Sequence, residues 1–208
     1  MVRTWVADVT PLYERECYEE YYGALPDFRK EKADALRLVE MKAQSAGVWS
    51  LWEKIRKEYG IGENAAHNFS HSGTYVMCAA EIDGKQAAVG CDLEQKGKPR
   101  PSLAKRFFCP EEYGAVLAAE TEEEQADVFY RYWVLKESFM KATGMGMALP
   151  VDSFCIRLGN PPVLVRKPEK FKENYYYMEY EWMGIPYKMA VCSTDSEIDA
   201  ALHTELKL

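Results

Sequence analysis

The sequence predicts an α+β protein made of two similar halves packed side by side. The order strand, helices, paired strands occurs twice, with a seam near residues 86–88. Tyr75-Val76-Met77-Cys78-Ala79 is loosely echoed by Lys188-Met189-Ala190-Val191-Cys192. No low-complexity segment or long linker divides the chain, and 208 residues suit one large domain or two small halves sharing a core.

Each element has its own signal. Val2 to Val9 alternates as a strand, and Thr10-Pro11 opens a helix with Pro in a first-turn position. Pro26-Asp27 starts a longer helical stretch to about Tyr59, interrupted near Gly47 and ended by Gly60 and Gly62. Asn68 to Gly73 is turn-rich and leads into a β-type run from Thr74 to Ile82. Asp83-Gly84 signals a hairpin returning through Gln86 to Glu94. A basic, Pro-containing connector follows, Gln95 to Pro101. Ser102 caps a short helix through Phe108, and Pro110-Glu111-Glu112 opens another. A long helix runs from about Glu122 to Thr143, closed by Gly144 and Gly146. Ser153 to Ser193 reads as strands, with Gly184-Ile185-Pro186 turning between the last two, then a short terminal helix.

Composition narrows the function classes. Hydrophobic content of 48% and charged content of 28% suit a soluble globular protein. A net charge of −7 argues against broad binding to nucleic acid or anionic membrane, so an anion must be held by a local basic cluster or a metal. No apolar run approaches a membrane span, and Met1 to Thr10 carries Asp8 and alternates, unlike a signal peptide. The six cysteines (17, 78, 91, 109, 155, 192) are scattered without Cys-x-x-Cys spacing. They read as buried free thiols of a reducing cytoplasm, which sets zinc aside.

Two segments carry the chemistry. In Val89-Gly90-Cys91-Asp92-Leu93-Glu94, a strand points both carboxylates to one face, and their apolar neighbours pull that strand inward. Buried carboxylates require a metal or cation partner, and hard oxygen ligands suit Mg²⁺ or Mn²⁺. In Trp133 to Lys141, Trp133, Glu137 and Lys141 fall on one helical stripe, with Lys136 beside them. Taken alone, each pair is more commonly a solvated or capping feature. Ser70-His71-Ser72 lacks a nucleophile elbow and any triad, so it is either a locally satisfied turn or a donor set for phosphate oxygens. Lys96, Lys98, Arg100, Lys105 and Arg106, interleaved with Leu103, Phe107 and Phe108, form either a solvated face or a docking strip for an acidic helix.

In combination, Asn68 to Gly73, Val89 to Glu94, Lys105 to Phe108 and Trp133 to Lys141 resemble the larger, two-halved 4′-phosphopantetheinyl transferases that activate surfactin-like peptide synthetases. Fainter likeness continues through Pro150 to Phe154 and Tyr187 to Val191. The resemblance implies a pseudo-twofold fold, each half a small, mostly antiparallel sheet packed against helices. Residues 1–87 would contribute coenzyme A contacts, and residues 88–208 the metal ligands and catalytic Glu. It implies Asp92, Glu94 and Glu137 as Mg²⁺ ligands, with Mn²⁺ the alternative, and Glu137 also as the base. It implies Lys141, with Lys136, at the leaving phosphate. Ser70, His71, Arg29, Lys32 and Ser45 would contact coenzyme A, the co-substrate. The partner would be an apo acyl or peptidyl carrier protein docking on Lys96–Phe108, with no nucleic acid, no membrane and a monomeric enzyme. The chain departs from the family at Gly62 to His67, where Gly-Lys-Pro is common, and at Gln44, often basic. Two rival readings use the same residues: a metal-dependent phosphodiester hydrolase, or an inactive coenzyme A or carrier-binding module.

Overall fold

The computed structural model describes residues 1–182 and 184–208. Strand β1 (Val2–Asp8) runs into a 3₁₀ turn at Thr10–Tyr13, then α1 (Arg15–Gly23), α2 (Asp27–Asp34) and α3 (Val39–Tyr59). Next come β2 (His67–Ser72) and β3 (Tyr75–Glu81). The second half repeats this plan with β4 (Val89–Gln95), α4 (Pro101–Phe107), α5 (Pro110–Ala118) and α6 (Glu122–Ala142). It continues through the short pair β5 (Cys155–Arg157) and β6 (Val163–Arg166), then β7 (Tyr176–Tyr180) and β8 (Tyr187–Ser193), and ends with β9 (Ile198–His203).

Sheet order makes the repeat explicit: β2-β3-β1 in one sheet corresponds to β7-β8-β4 in the other, all antiparallel. In the ladders Asp8 faces Tyr75, and Gln95 faces Tyr187. The register therefore aligns Tyr75-x-Met77 with Tyr187-x-Met189, one residue earlier than the sequence echo suggested.

Alternation along the strands builds three layers of core. Val2, Val6, Met77, Ala79, Val89, Cys91, Leu93, Met189 and Val191 meet between the two sheets. The opposite face of the first sheet, Trp5, Val76, Cys78 and Ala80, packs on Leu51, Trp52 and Ile55 of α3. Ala190 and Cys192 of β8 pack on Leu135 and Phe139 of α6. Burying these side chains, at about 1.5–3 kcal/mol each, is the main force holding the helices to the outer faces.

Several sequence expectations need correction. Asp83-Gly84 turns the chain between sheets and closes no hairpin, since β3 pairs with β1 and β2 while β4 pairs with β8. The turn-rich Asn68 to Gly73 is mostly strand β2; its polar residues alternate because one face is used for side-chain hydrogen bonding. The helical break falls at residues 35–38, whereas Gly47 lies inside α3, where a Cβ would meet Val9 Cγ1 at 2.6 Å. Gly60 does end that helix, in the left-handed conformation (φ 65°). The short helix over 101–107 is capped at Arg100 and not at Ser102. The terminal helix is instead β9, which pairs parallel with β1, placing Leu202 opposite Thr4 and His203 opposite Trp5. Ala200 and Ala201 favour a helix locally, but the open edge of β1 outweighs that weak preference. Finally, Cys109 and Cys155 form a disulfide, so the reading of six free thiols holds for Cys17, Cys78, Cys91 and Cys192 alone.

Candidate active site

The site begins with a glycine. A Cβ on Gly90 would lie 2.0 Å from the Ser138 carbonyl oxygen and 2.3 Å from the Ala142 nitrogen, so α6 can rest on β4 only because residue 90 lacks one. That contact sets Glu137 and Lys141 of α6 over Asp92 and Glu94, which share the same face of β4. The Lys141 ammonium donates to Asp92 Oδ1 at 2.8 Å, the Cys91 carbonyl at 3.0 Å and Ser70 Oγ at 3.1 Å. Burial works to lower the Lys141 pKa, but the charge and hydrogen bond of Asp92 together with its other negative neighbours leave it raised.

Strand β2 supports the carboxylates from the other half. Asn68 Oδ1, Ser70 Oγ and Ser72 Oγ accept the backbone N–H groups of Cys91, Leu93 and Gln95 at 3.1, 3.3 and 3.0 Å. Side chains thus stand in for the carbonyls of a missing neighbour and stitch one sheet to the other. The same hydroxyls donate onward, Ser70 to Asp92 Oδ1 at 2.8 Å and Ser72 to Glu94 Oε2 at 2.9 Å. The single Ser70 proton is spent on Asp92, so in this structure Ser70 supports the carboxylates. Sequence reasoning missed Asn68 and Ser72 in this role; the Asn-x-Ser-x-Ser alternation was the available signal.

Negative charge exceeds positive here. Burial, then the neighbouring Asp92 charge, raises the pKa of both Glu137 and Glu94. Asp92 Oδ2 is buried without a hydrogen-bond partner. As placed, the three carboxylates do not all lie within 4.8 Å of one another; among the described residues, only Cys109, Glu111 and Cys155 come that close. A hard-oxygen donor set with surplus charge and an orphaned oxygen fits a small divalent cation.

Lys136 is placed elsewhere. Its side chain is 1% exposed, and the ammonium bonds Glu112 Oε2 at 2.8 Å and the carbonyls of Val151 and Phe154 at 2.8 and 2.9 Å. All three protons are used within the fold, which corrects the expectation that it stands beside Lys141. Burial outweighs the Glu112 contact and lowers its pKa.

The anion-binding candidates lie at the edge of this cluster. His71 is exposed, yet its pKa is lowered, first by desolvation and then by the positive charges of Lys141, Lys32 and Arg29, with Asp92 opposing them. Arg29 and Lys32 sit one turn apart on α2. Arg29 is buried over the Trp49 ring and donates through Nη2 to the Ser45 carbonyl at 2.6 Å. Its Nε and the Ser45 hydroxyl are left without partners. Gln44 is occupied structurally: its amide donates to the Gly73 carbonyl at 2.8 Å, holding the β2–β3 turn that follows Ser70 and His71. In the basic strip, Lys96 faces Asp127 at 3.6 Å, whereas Lys98, Arg100, Lys105 and Arg106 are exposed. The Arg100 charge acts on Glu94, so the strip adjoins the carboxylates.

Residues 88–192, half of the chain, match the sequence profile of the 4′-phosphopantetheinyl transferase superfamily. The chain belongs to that superfamily. It is 40% identical over 131 residues to the 4′-phosphopantetheinyl transferase Sfp of Bacillus subtilis (strain 168), covering 62% of this chain and 55% of that one. It is 30% identical over 156 residues to the 4′-phosphopantetheinyl transferase gsp of Aneurinibacillus migulanus, covering 74% and 63%. It is 31% identical over 121 residues to the L-aminoadipate-semialdehyde dehydrogenase-phosphopantetheinyl transferase of Xenopus laevis, covering 55% and 38%. The chain therefore spans little more than half the length of the first two relatives and less of the third. The observed small antiparallel sheets packed against helices agree with the expected α+β class. No helix among the described residues is long and apolar enough to cross a membrane.

Proposed function

We propose that this superfamily member transfers the 4′-phosphopantetheine arm of coenzyme A to a serine of an apo acyl or peptidyl carrier protein, releasing 3′,5′-ADP. The observation that carries this is the cluster of Asp92, Glu94, Glu137 and Lys141, one buried carboxylate oxygen of which lacks a partner. Asp92, Glu94 and Glu137 would hold Mg²⁺, or Mn²⁺ in its place. The cation, when bound, neutralises pyrophosphate charge.

Glu137 takes the proton of the carrier serine hydroxyl, a role favoured by a pKa raised toward neutrality. The serine oxygen attacks the β-phosphorus of coenzyme A, and the bond to the leaving phosphate oxygen breaks. Lys141 offers its ammonium to that oxygen. His71, Lys32, Arg29 and Ser45 hold phosphate oxygens, using the positive field at His71 and the spare Arg29 Nε and Ser45 hydroxyl. The first half thus grips coenzyme A and the second carries the carboxylates, which suits a monomer acting in the cytoplasm. The exposed basic residues of the strip from Lys96 to Phe108 would receive an acidic carrier helix.

The test is to incubate the protein with coenzyme A, Mg²⁺ and a panel of apo carriers, then weigh each carrier. Gain of one phosphopantetheine is expected. Release of 3′,5′-ADP without an acceptor would point to hydrolysis instead. Coenzyme A binding without turnover on any carrier would mark a binding module.

A further inference from the structure

The corner between α5 and β5 carries chemistry that the carboxylate site does not use. Cys109 caps α5, with its sulfur over the first helical turn and its N–H donating to Glu112 Oε2 at 3.0 Å. Cys155, 46 residues later, opens β5 and is bonded to it across a Cα separation of 6.1 Å. A disulfide spans that distance without moving the backbone. The exposed Glu111 places Oε2 3.8 Å from Cys155 Sγ.

The two segments are also joined without the disulfide. Glu112 accepts the Ile156 N–H at 2.8 Å as well as the Cys109 N–H, and pairs with Lys136 of α6. The covalent bond therefore runs parallel to a hydrogen-bonded hub that joins the same two segments.

We propose that Cys109 and Cys155 are a reversible thiol-modification site, closed by exchange with a low-molecular-weight disulfide, that latches the α5–β5 corner against α6. The latch does not depend on what α6 catalyses. Position at the α5 N-terminus favours the Cys109 thiolate as the attacking group. Cys109 and Cys155 are themselves buried, so exchange requires the corner to open; Cys78, Cys91 and Cys192 lie in the cores beneath the sheets, where burial raises their pKa, that of Cys91 to about 12. Disulfides that form in reducing compartments are usually transient, whereas permanent ones belong to oxidising compartments.

The exchange balances as follows. The Cys109 thiolate attacks one sulfur of RSSR, forming a mixed disulfide and expelling one RS⁻. The Cys155 thiolate then attacks the Cys109 sulfur and expels the second. The two cysteines lose two protons and two electrons, RSSR gains them, and two RSH are formed. Excess dithiol reverses both steps.

The test uses the full chain, equilibrated with glutathione disulfide or with dithiothreitol, then alkylated and digested. After oxidation, the Cys109 and Cys155 peptides should be linked; after native reduction, they should separate. The oxidised protein should unfold about 5–15 °C higher, since closing a loop of this length restricts the unfolded chain. Cys155→Ser should abolish that shift, and Cys17→Ser should leave it intact. Linkage through Cys17, a bond that native reductant never opens, or a shift surviving in Cys155→Ser would overturn the proposal. So would stoichiometric Zn²⁺ binding by the reduced chain that protects both cysteines and prevents oxidation, which would make this corner a metal site with Glu111. Peptide mapping of the unsubstituted chain decides the pairing even if Cys155→Ser fails to fold.

Discussion

Lys136 and Lys141 lie on the same helix, each drawn against a carboxylate, and their surroundings end in opposite states. Around Lys136 every proton finds an acceptor, and Glu112 accepts from Cys109, Ile156 and Lys136 together. Around Lys141 three carboxylates share one ammonium, and Asp92 Oδ2 is unpartnered. The closed cluster holds α6 to the α5–β5 corner. The open one has electrostatic capacity left for a ligand. Residue type does not separate the two; the balance of donors, acceptors and charge does.

The largest expected effect tests the closed side. Lys136→Met should cost about 3–5 kcal/mol in urea unfolding, because it strands a buried carboxylate. Adding Glu112→Gln should recover part of the loss. A single-variant cost below about 1 kcal/mol would break the contrast.

On the open side, Glu137→Gln should lower carrier modification by about 10²–10⁴-fold without unfolding the chain. Its folded pKa is raised, so its contribution to stability is full below the unfolded carboxylate pKa and is lost as pH rises through the folded value. The neutral amide mimics the protonated form. The variant should therefore melt higher than wild type at neutral pH without divalent cations, and Mg²⁺ should raise the wild-type Tm more. Equal melting behaviour in both would remove charge surplus from the account.

Gly90→Ala should cost about 1–3 kcal/mol through overpacking and also reduce activity, since α6 must lift from β4. Ser72→Ala should be mildest, about 1 kcal/mol. It removes a bond that favours ionised Glu94, so the acid limb of the pH–rate profile should move to higher pH. An unmoved limb would separate Glu94 from the rate.

The sequence showed the carboxylates because strand and helix periodicity fix faces: Asp92 with Glu94, and Glu137 with Lys141. It could not show how far Lys136 turns from that face, because its partner, Glu112, lies on a different helix and read locally as helix-opening charge. Strand β2 was illegible for a related reason. Asn68, Ser70 and Ser72 favour turns in isolation; pairing with β3 makes a strand of them, and their side chains are taken up by the backbone of β4. The Asp83-Gly84 turn was correctly placed but wrongly connected, since turn chemistry says nothing about which sheet the chain enters next. The Cys109–Cys155 pairing depends on tertiary proximity across 46 residues and leaves no spacing pattern to read.

Strand β9 has a consequence for how the chain is made. Because residues 198–203 complete the sheet begun by residues 2–8, the β1 edge stays unpaired throughout synthesis of the entire second half. An apolar strand edge held open that long is a template for misassembly, and pairing across such a span closes slowly. A cut at the seam would therefore yield one fragment with an exposed edge and another with an unpartnered strand. The two halves repeat each other in plan, yet the first sheet is complete only when residues 198–203 of the second half are in place.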